Sequence, residues 1–63
     1  MIYSIGEKVT YRSFGKTEIG IVKSYCDDPE YVFVVYHCDN NWTRYFDYTA
    51  ARTALSDLSP GWL

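Results

Sequence analysis

Residues 31–49 read YVFVVYHCDNNWTRYFDYT, and the fold turns on how they are interpreted. Tyr31 to Cys38 holds three valines, a phenylalanine and two tyrosines with no glycine or proline inside. Such β-branched and aromatic side chains suit a pleated, mostly buried surface better than a helix. Asp39-Asn40-Asn41 follows, with side chains that tolerate left-handed backbone and bond their own main chain, so the chain is expected to return at Trp42 as a central hairpin. A three-residue loop then pairs Cys38 with Trp42, Tyr36 with Arg44, Val34 with Phe46 and Val32 with Tyr48. This register puts Val32, Val34, Tyr36, Cys38, Trp42, Arg44, Phe46 and Tyr48 on one face. Tyr31, Phe33, Val35, His37, Thr43, Tyr45 and Asp47 share the other. The first face has fewer polar atoms and is assigned to the core, with Arg44 at its rim; the second must be covered or used, since contiguous exposed apolar patches mark interaction surfaces.

Upstream, Tyr3 to Lys8 reads as a lead-in, and Lys8 to Tyr11 alternates as a half-buried strand with Val9 and Tyr11 on one face. Arg12 to Glu18 is expected to be a polar loop in which Gly15 supplies a positive φ and Phe14 either folds back or is displayed. Ile19 to Tyr25 is a second strand, with Gly20 placed where a neighbouring backbone approaches or the strand bends. Cys26 to Glu30 is a turn, because Pro29 cannot continue a ladder. Downstream, Thr49 to Ala54 is too short and too weakly strand-forming for more than one helical or 3-10 turn. Leu55 to Leu58 adds a short last strand, Ser59-Pro60-Gly61 ends it, and Trp62 folds back onto the body.

Sixty-three residues make one domain, residues 1–63, and a chain of this size buries only about 60% of its unfolded surface. Seven Tyr, three Phe and two Trp make twelve aromatics, 19% of the chain; at roughly 150–250 Å² of burial each, they substitute for a cross-linked core. Eight acidic against six basic residues give a net charge of −2, which opposes the electrostatic attraction that dominates nucleic-acid affinity. Met1-Ile2-Tyr3-Ser4 shows no secretion signal and no stretch approaches a membrane span, so a soluble cytoplasmic protein is expected. Two cysteines are present, Cys26 and Cys38. If residues 27–30 form a hairpin turn, Cys38 sits opposite residue 19, roughly 23 Å along the strand from Cys26, so both thiols are expected to be free.

The order of elements resembles the Src-homology-3-like small barrels, and within them the Tudor and KOW type. Their Gly-x-x-Val and Gly-x-Val patterns match Gly6-Glu7-Lys8-Val9 and Gly20-Ile21-Val22, and their closing Leu-x-x-Leu matches Leu55-Ser56-Asp57-Leu58. The resemblance implies an all-β, five-stranded antiparallel barrel with one short helical or 3-10 turn before the last strand. The run from Tyr36-His37-Cys38 through Trp42, Tyr45 and Tyr48-Thr49-Ala50 to Gly61-Trp62 also resembles small single-domain proteins of bacteria and their phages, a likeness that implies no activity.

Three kinds of site follow. A Tudor-like aromatic cage reading methylated side chains would draw on Tyr11 or Phe14, Tyr36, Trp42 and Tyr45, with Asp39 as the acid; π faces around a cation contribute roughly 0.5–2 kcal/mol each. The chosen register, however, puts Tyr36 and Tyr45 on opposite faces. A KOW-like nucleic-acid surface would use Arg12, Lys16, Lys23 and Arg44 with exposed rings for stacking, against the acidic balance. The third, and the expectation adopted, is a non-enzymatic protein-binding module, a stand-alone adaptor or inhibitor. Its partner-binding surface would be Tyr11, Phe14, Tyr31, Tyr36, Trp42 and Tyr45, with strand addition at an open edge and self-association as a sub-case. No metal or cofactor is expected: His37 and Cys38 are strand neighbours pointing to opposite faces. For the same reason they do not form a nucleophile and base, and no phosphate loop or paired-carboxylate motif appears, so no catalytic residue is assigned.

Overall fold

Val9, Val22, Val32, Val34 and Val35 are each 2% exposed or less, and the strands that carry them form the centre of the molecule. The computed structural model describes residues 3–36 and 40–62. Its elements are strands β1 (Lys8–Ser13), β2 (Lys16–Tyr25) and β3 (Tyr31–Val35), a 3-10 turn η1 (Trp42–Asp47), strand β4 (Ala51–Ala54), a second 3-10 turn η2 (Leu55–Asp57) and strand β5 (Leu58–Pro60). All strand pairs are antiparallel, in the order β4-β3-β2-β1-β5. No helix among the described residues is long and apolar enough to cross a membrane.

Alternation along the strands builds two faces. Opposed pairs such as Val9 with Gly20 and Val22 with Val34 put Val9, Val22, Val32 and Val34 on one inner face. Tyr3 and Leu58 complete that cluster, with Tyr11, Tyr36 and Leu55 packed against it. The shared face of Val9 and Tyr11, and the assignment of Val32, Val34 and Tyr36 to the core side, are therefore as the sequence predicts. Gly20 is where backbones crowd: a Cβ there would lie 2.6 Å from a Val34 methyl and 2.9 Å from the Val35 carbonyl oxygen. A bulge between Val22 and Ser24 shifts the register of β2 on β3.

The expected partner of β3 is corrected. Trp42 to Tyr48 is not a strand; η1 occupies it, and β3 instead pairs with β4, Val34 opposite Ala51 and Val32 opposite Thr53. The physical reason is local bonding. Arg44 N–H donates to the Asn41 carbonyl at 3.0 Å and Tyr48 N–H to that of Tyr45 at 3.1 Å. The Arg44 guanidinium bonds the Asp47 carboxylate one turn on, at 2.9 Å. These i to i+3 contacts close a tight turn that a β-ladder would have to break. Trp42, Arg44, Phe46 and Tyr48 consequently leave the core face, while residues 51–54, expected to be a helical turn, are extended. The single turn before the last strand is η2, and the last strand is Leu58–Pro60 instead of residues 55–58. Pro60 is tolerated there because β5 is an edge strand.

Two further corrections concern the sheet. The polar loop expected at residues 12–18 shrinks to a two-residue turn, because Phe14 (φ 50) and Gly15 (φ 79) both take the left-handed conformation that a tight hairpin requires. The barrel does not close. β4 and β5 are the two edges, and among the described residues no ladder joins them. Cys26 is a free thiol; Cys38 lies outside the described residues, as do His37 and Asp39.

Candidate functional site

Of the six residues expected to bind a partner, only Phe14 is broadly exposed, at 102%. The other large apolar side chains more than half exposed are Ile5, Tyr25 and Phe46. Tyr11, Tyr31, Tyr36, Trp42 and Tyr45 are half-buried. The continuous aromatic surface expected from the sequence is thus corrected to two separate groups of rings, packed against each other or against the sheet.

The first group belongs to the strands. Tyr11 on β1 and Tyr36 just after β3 meet edge to face, centroids 5.8 Å apart at 69°. The Tyr36 hydroxyl is 2.8 Å from the Thr53 hydroxyl on β4, which itself donates to the Ala51 carbonyl at 3.2 Å. Around them opens a shallow cleft of about 490 Å³, lined by Tyr11, Glu18, Tyr36, Arg52, Thr53 and Asp57 among others. Burial raises the Tyr36 pKa above its ordinary value; the Thr53 bond opposes this, and Tyr11, Glu18 and Asp57 add to it by charge. The two carboxylates therefore place negative potential at the rings. Arg52, a cation of the cleft itself, stacks 3.9 Å from the ring centroid of Tyr31, another lining residue, and lies 3.8 Å from the Asp28 carboxylate. Cys26 is beside it. Its thiol is held below the ordinary value first by the Asp28 backbone N–H, then by Arg52, whose own pKa rises in return.

The second group gathers about β2 and the start of β1. Trp62 donates its indole N–H to the Gly20 carbonyl at 2.9 Å, as the folding back of Trp62 requires. It lies 5.0 Å from Trp42, and the Lys8 ammonium sits 4.8 Å from its ring. Tyr45 packs against Phe46 at 5.7 Å, with its hydroxyl against Gly6, where an added Cβ would come within 3.1 Å of it. Lys23 donates to the Tyr48 carbonyl at 2.6 Å, fastening the end of η1 to β2.

The four-ring cage is accordingly not assembled. Tyr11 and Tyr36 come together, Phe14 stands at the hairpin tip, Trp42 and Tyr45 are in the other group, and Asp39 is outside the described residues. Of the four cations weighed for nucleic acid, Lys23 and Arg44 are committed to Tyr48 and Asp47, while Arg12 and Lys16 are exposed on the β1–β2 hairpin. Among the described residues no group of three or more His, Cys, Asp or Glu is placed to hold a metal ion.

Sequence reasoning missed Glu18, Asp57, Arg52 and Cys26. Glu18 was hidden by the assumed loop: once β2 starts at Lys16 it is opposite Tyr11. Asp57 sits inside the Leu-x-x-Leu pattern that was read only for its leucines. What the fold and site define is a class, a small open antiparallel sheet with an acid-rimmed tyrosine cleft beside an edge strand. Compared with protein-family models, curated proteins and solved structures, the chain matches none.

Proposed function

We propose that the chain is a non-enzymatic protein-binding module, a small adaptor or inhibitor that takes a basic side chain of its partner into the cleft beside the paired rings of Tyr11 and Tyr36. The carrying observation is the convergence of two rings in edge-to-face contact and two carboxylates, Glu18 and Asp57, on one cleft. π faces attract a cation and the carboxylates add charge, while the half-buried setting limits screening. The unpaired side of β4 adjoins the cleft, so a bound segment has backbone groups to pair with as an added strand. The element order, with a 3-10 turn directly before a short final strand, supports a relation to the Src-homology-3-like barrels.

A methylated cation is the second reading, favoured by the near-perpendicular Tyr11 and Tyr36 rings, which offer two of a cage's walls. Titration of lysine-rich, arginine-rich and trimethyl-lysine peptides into the ¹⁵N-labelled chain separates the two. Resonance shifts at Tyr11, Tyr36 and Thr53 with a basic peptide support the proposal, and a response to the methylated peptide alone selects the cage. No shift with any of them at millimolar peptide ends both.

A further inference from the structure

Phe14 is a strained as well as an exposed residue. It holds φ 50, a region that bulky L side chains avoid, at the first position of a turn that asparagine or glycine would serve better. A fully displayed ring kept at such a position is an outlier that points to use. It is flanked on the hairpin by Arg12 and Lys16, both exposed, so the tip is apolar and basic.

The opposite end of the sheet has the complementary character. An open cleft of about 630 Å³ is lined by Tyr3, Pro29, Tyr31, Ala54, Leu55 and Pro60, mostly apolar groups, with exposed Glu30 at its wall. Asp27, Asp28 and Glu30, three of the eight acidic residues, lie together in the β2–β3 turn beside it. The lining residue nearest the tip, Pro60, is opposite Val9, five residues from Phe14 and so roughly 16 Å along β1 at about 3.3 Å per residue, and Glu30 lies beyond the far end of β2, so a molecule cannot fill its own cleft. We propose that the Phe14 tip of one copy docks into this cleft of a second copy, with Arg12 and Lys16 facing the acidic turn. Such a contact is heterologous, joining unlike surfaces, and extends to chains or closes to a ring. This cleft adjoins the tyrosine cleft at Tyr31 and Ala54 but is not lined by Tyr11 or Tyr36, so the docking does not rest on what binds at those two rings.

Sedimentation velocity on the full chain tests it. The weight-average mass is expected to rise between about 10 μM and about 1 mM, and to rise less in about 0.5 M salt, where the Debye length is only a few ångströms. Phe14→Asn, which suits the turn, and Glu30→Lys, which reverses the charge at the cleft, each weaken association at least about tenfold. An equimolar mixture of these two variants forms a dimer and nothing larger, because one intact tip meets one intact cleft. A wild-type chain that stays monomeric throughout overturns the proposal, as does unaltered association of Phe14→Asn or a mixture that remains monomeric. Phe14-dependent binding of the monomer to phosphatidylserine vesicles or to single-stranded DNA overturns it too, by assigning the tip to a membrane or to nucleic acid. A basic peptide shifting Tyr36 resonances equally in wild type and Phe14→Asn keeps this test separate from that of the tyrosine cleft.

Discussion

The two groups of aromatic rings differ in what surrounds them. Tyr11 and Tyr36 line an open cleft with carboxylates nearby, whereas Trp62 gives its indole N–H and its face to the chain itself and Trp42 and Tyr45 pack against other rings. Trp62 bonds Gly20, faces Trp42 and receives Lys8, and the Tyr45 hydroxyl rests on Gly6. Aromatic content alone therefore does not mark an interface. A ring surface becomes a binding surface where its polar partners are oriented but still reachable, and becomes structural where the chain's own backbone takes them.

Gly20 joins the two groups, with the space of its missing side chain filled by Val34 and Tyr36 and its carbonyl held by Trp62. Gly20→Ala is expected to have the largest effect, about 3 kcal/mol of destabilisation, since one obstacle is backbone and cannot rotate away. Urea denaturation measures it. For a chain whose whole stability is on the order of 3–9 kcal/mol, that loss approaches global unfolding. Trp62→Ala removes a hydrogen bond and a half-buried ring, with an expected cost of about 2 kcal/mol and peptide binding at the tyrosine cleft unchanged once the protein is folded. Lost binding in a folded Trp62→Ala protein would break the division between the groups.

Tyr36→Phe sharpens the division from the other side. Deleting the hydroxyl that meets Thr53 is expected to cost about 1 kcal/mol. It also changes the pH response. Burial favours neutral Tyr36, so its pKa is higher folded than unfolded. The folded state then holds the proton where the unfolded state releases it, and stability is full below the ordinary tyrosine pKa of 10.0 and declines as pH rises beyond it. Thermal melts from neutral pH upward should show an alkaline decline that is shallower in Tyr36→Phe. Smallest is Phe14→Asn, expected to raise stability by about 0.5–1 kcal/mol by relieving the left-handed strain; a lower melting temperature would mean that the ring supports the fold.

How much was legible follows from the same physics. Valine at 32, 34 and 35 made β3 visible, and Asp27 to Glu30 made its turn visible, because β-branching and proline act locally. Residues 42–48 misled because rings score as strand-formers, while the decisive Arg44–Asp47 and Asn41–Arg44 contacts depend on spacing three apart. Ala51 to Ala54 hid for the opposite reason: small residues signal little, and β4 exists because the free edge of β3 takes its backbone. Tyr11, Tyr36 and Thr53 could meet only once that pairing was known, so the cleft was out of reach even though its tyrosines were named.

Mapping a bound lysine-rich peptide by ¹⁵N and indole resonances puts the central claim at risk most directly. Saturable shifts at Tyr11, Glu18, Tyr36 and Thr53, abolished by Tyr36→Ala in a protein that remains folded and leaving the Trp42 and Trp62 indole signals still, are predicted. Shifts centred on those two indoles, or binding that survives Tyr36→Ala, would contradict it.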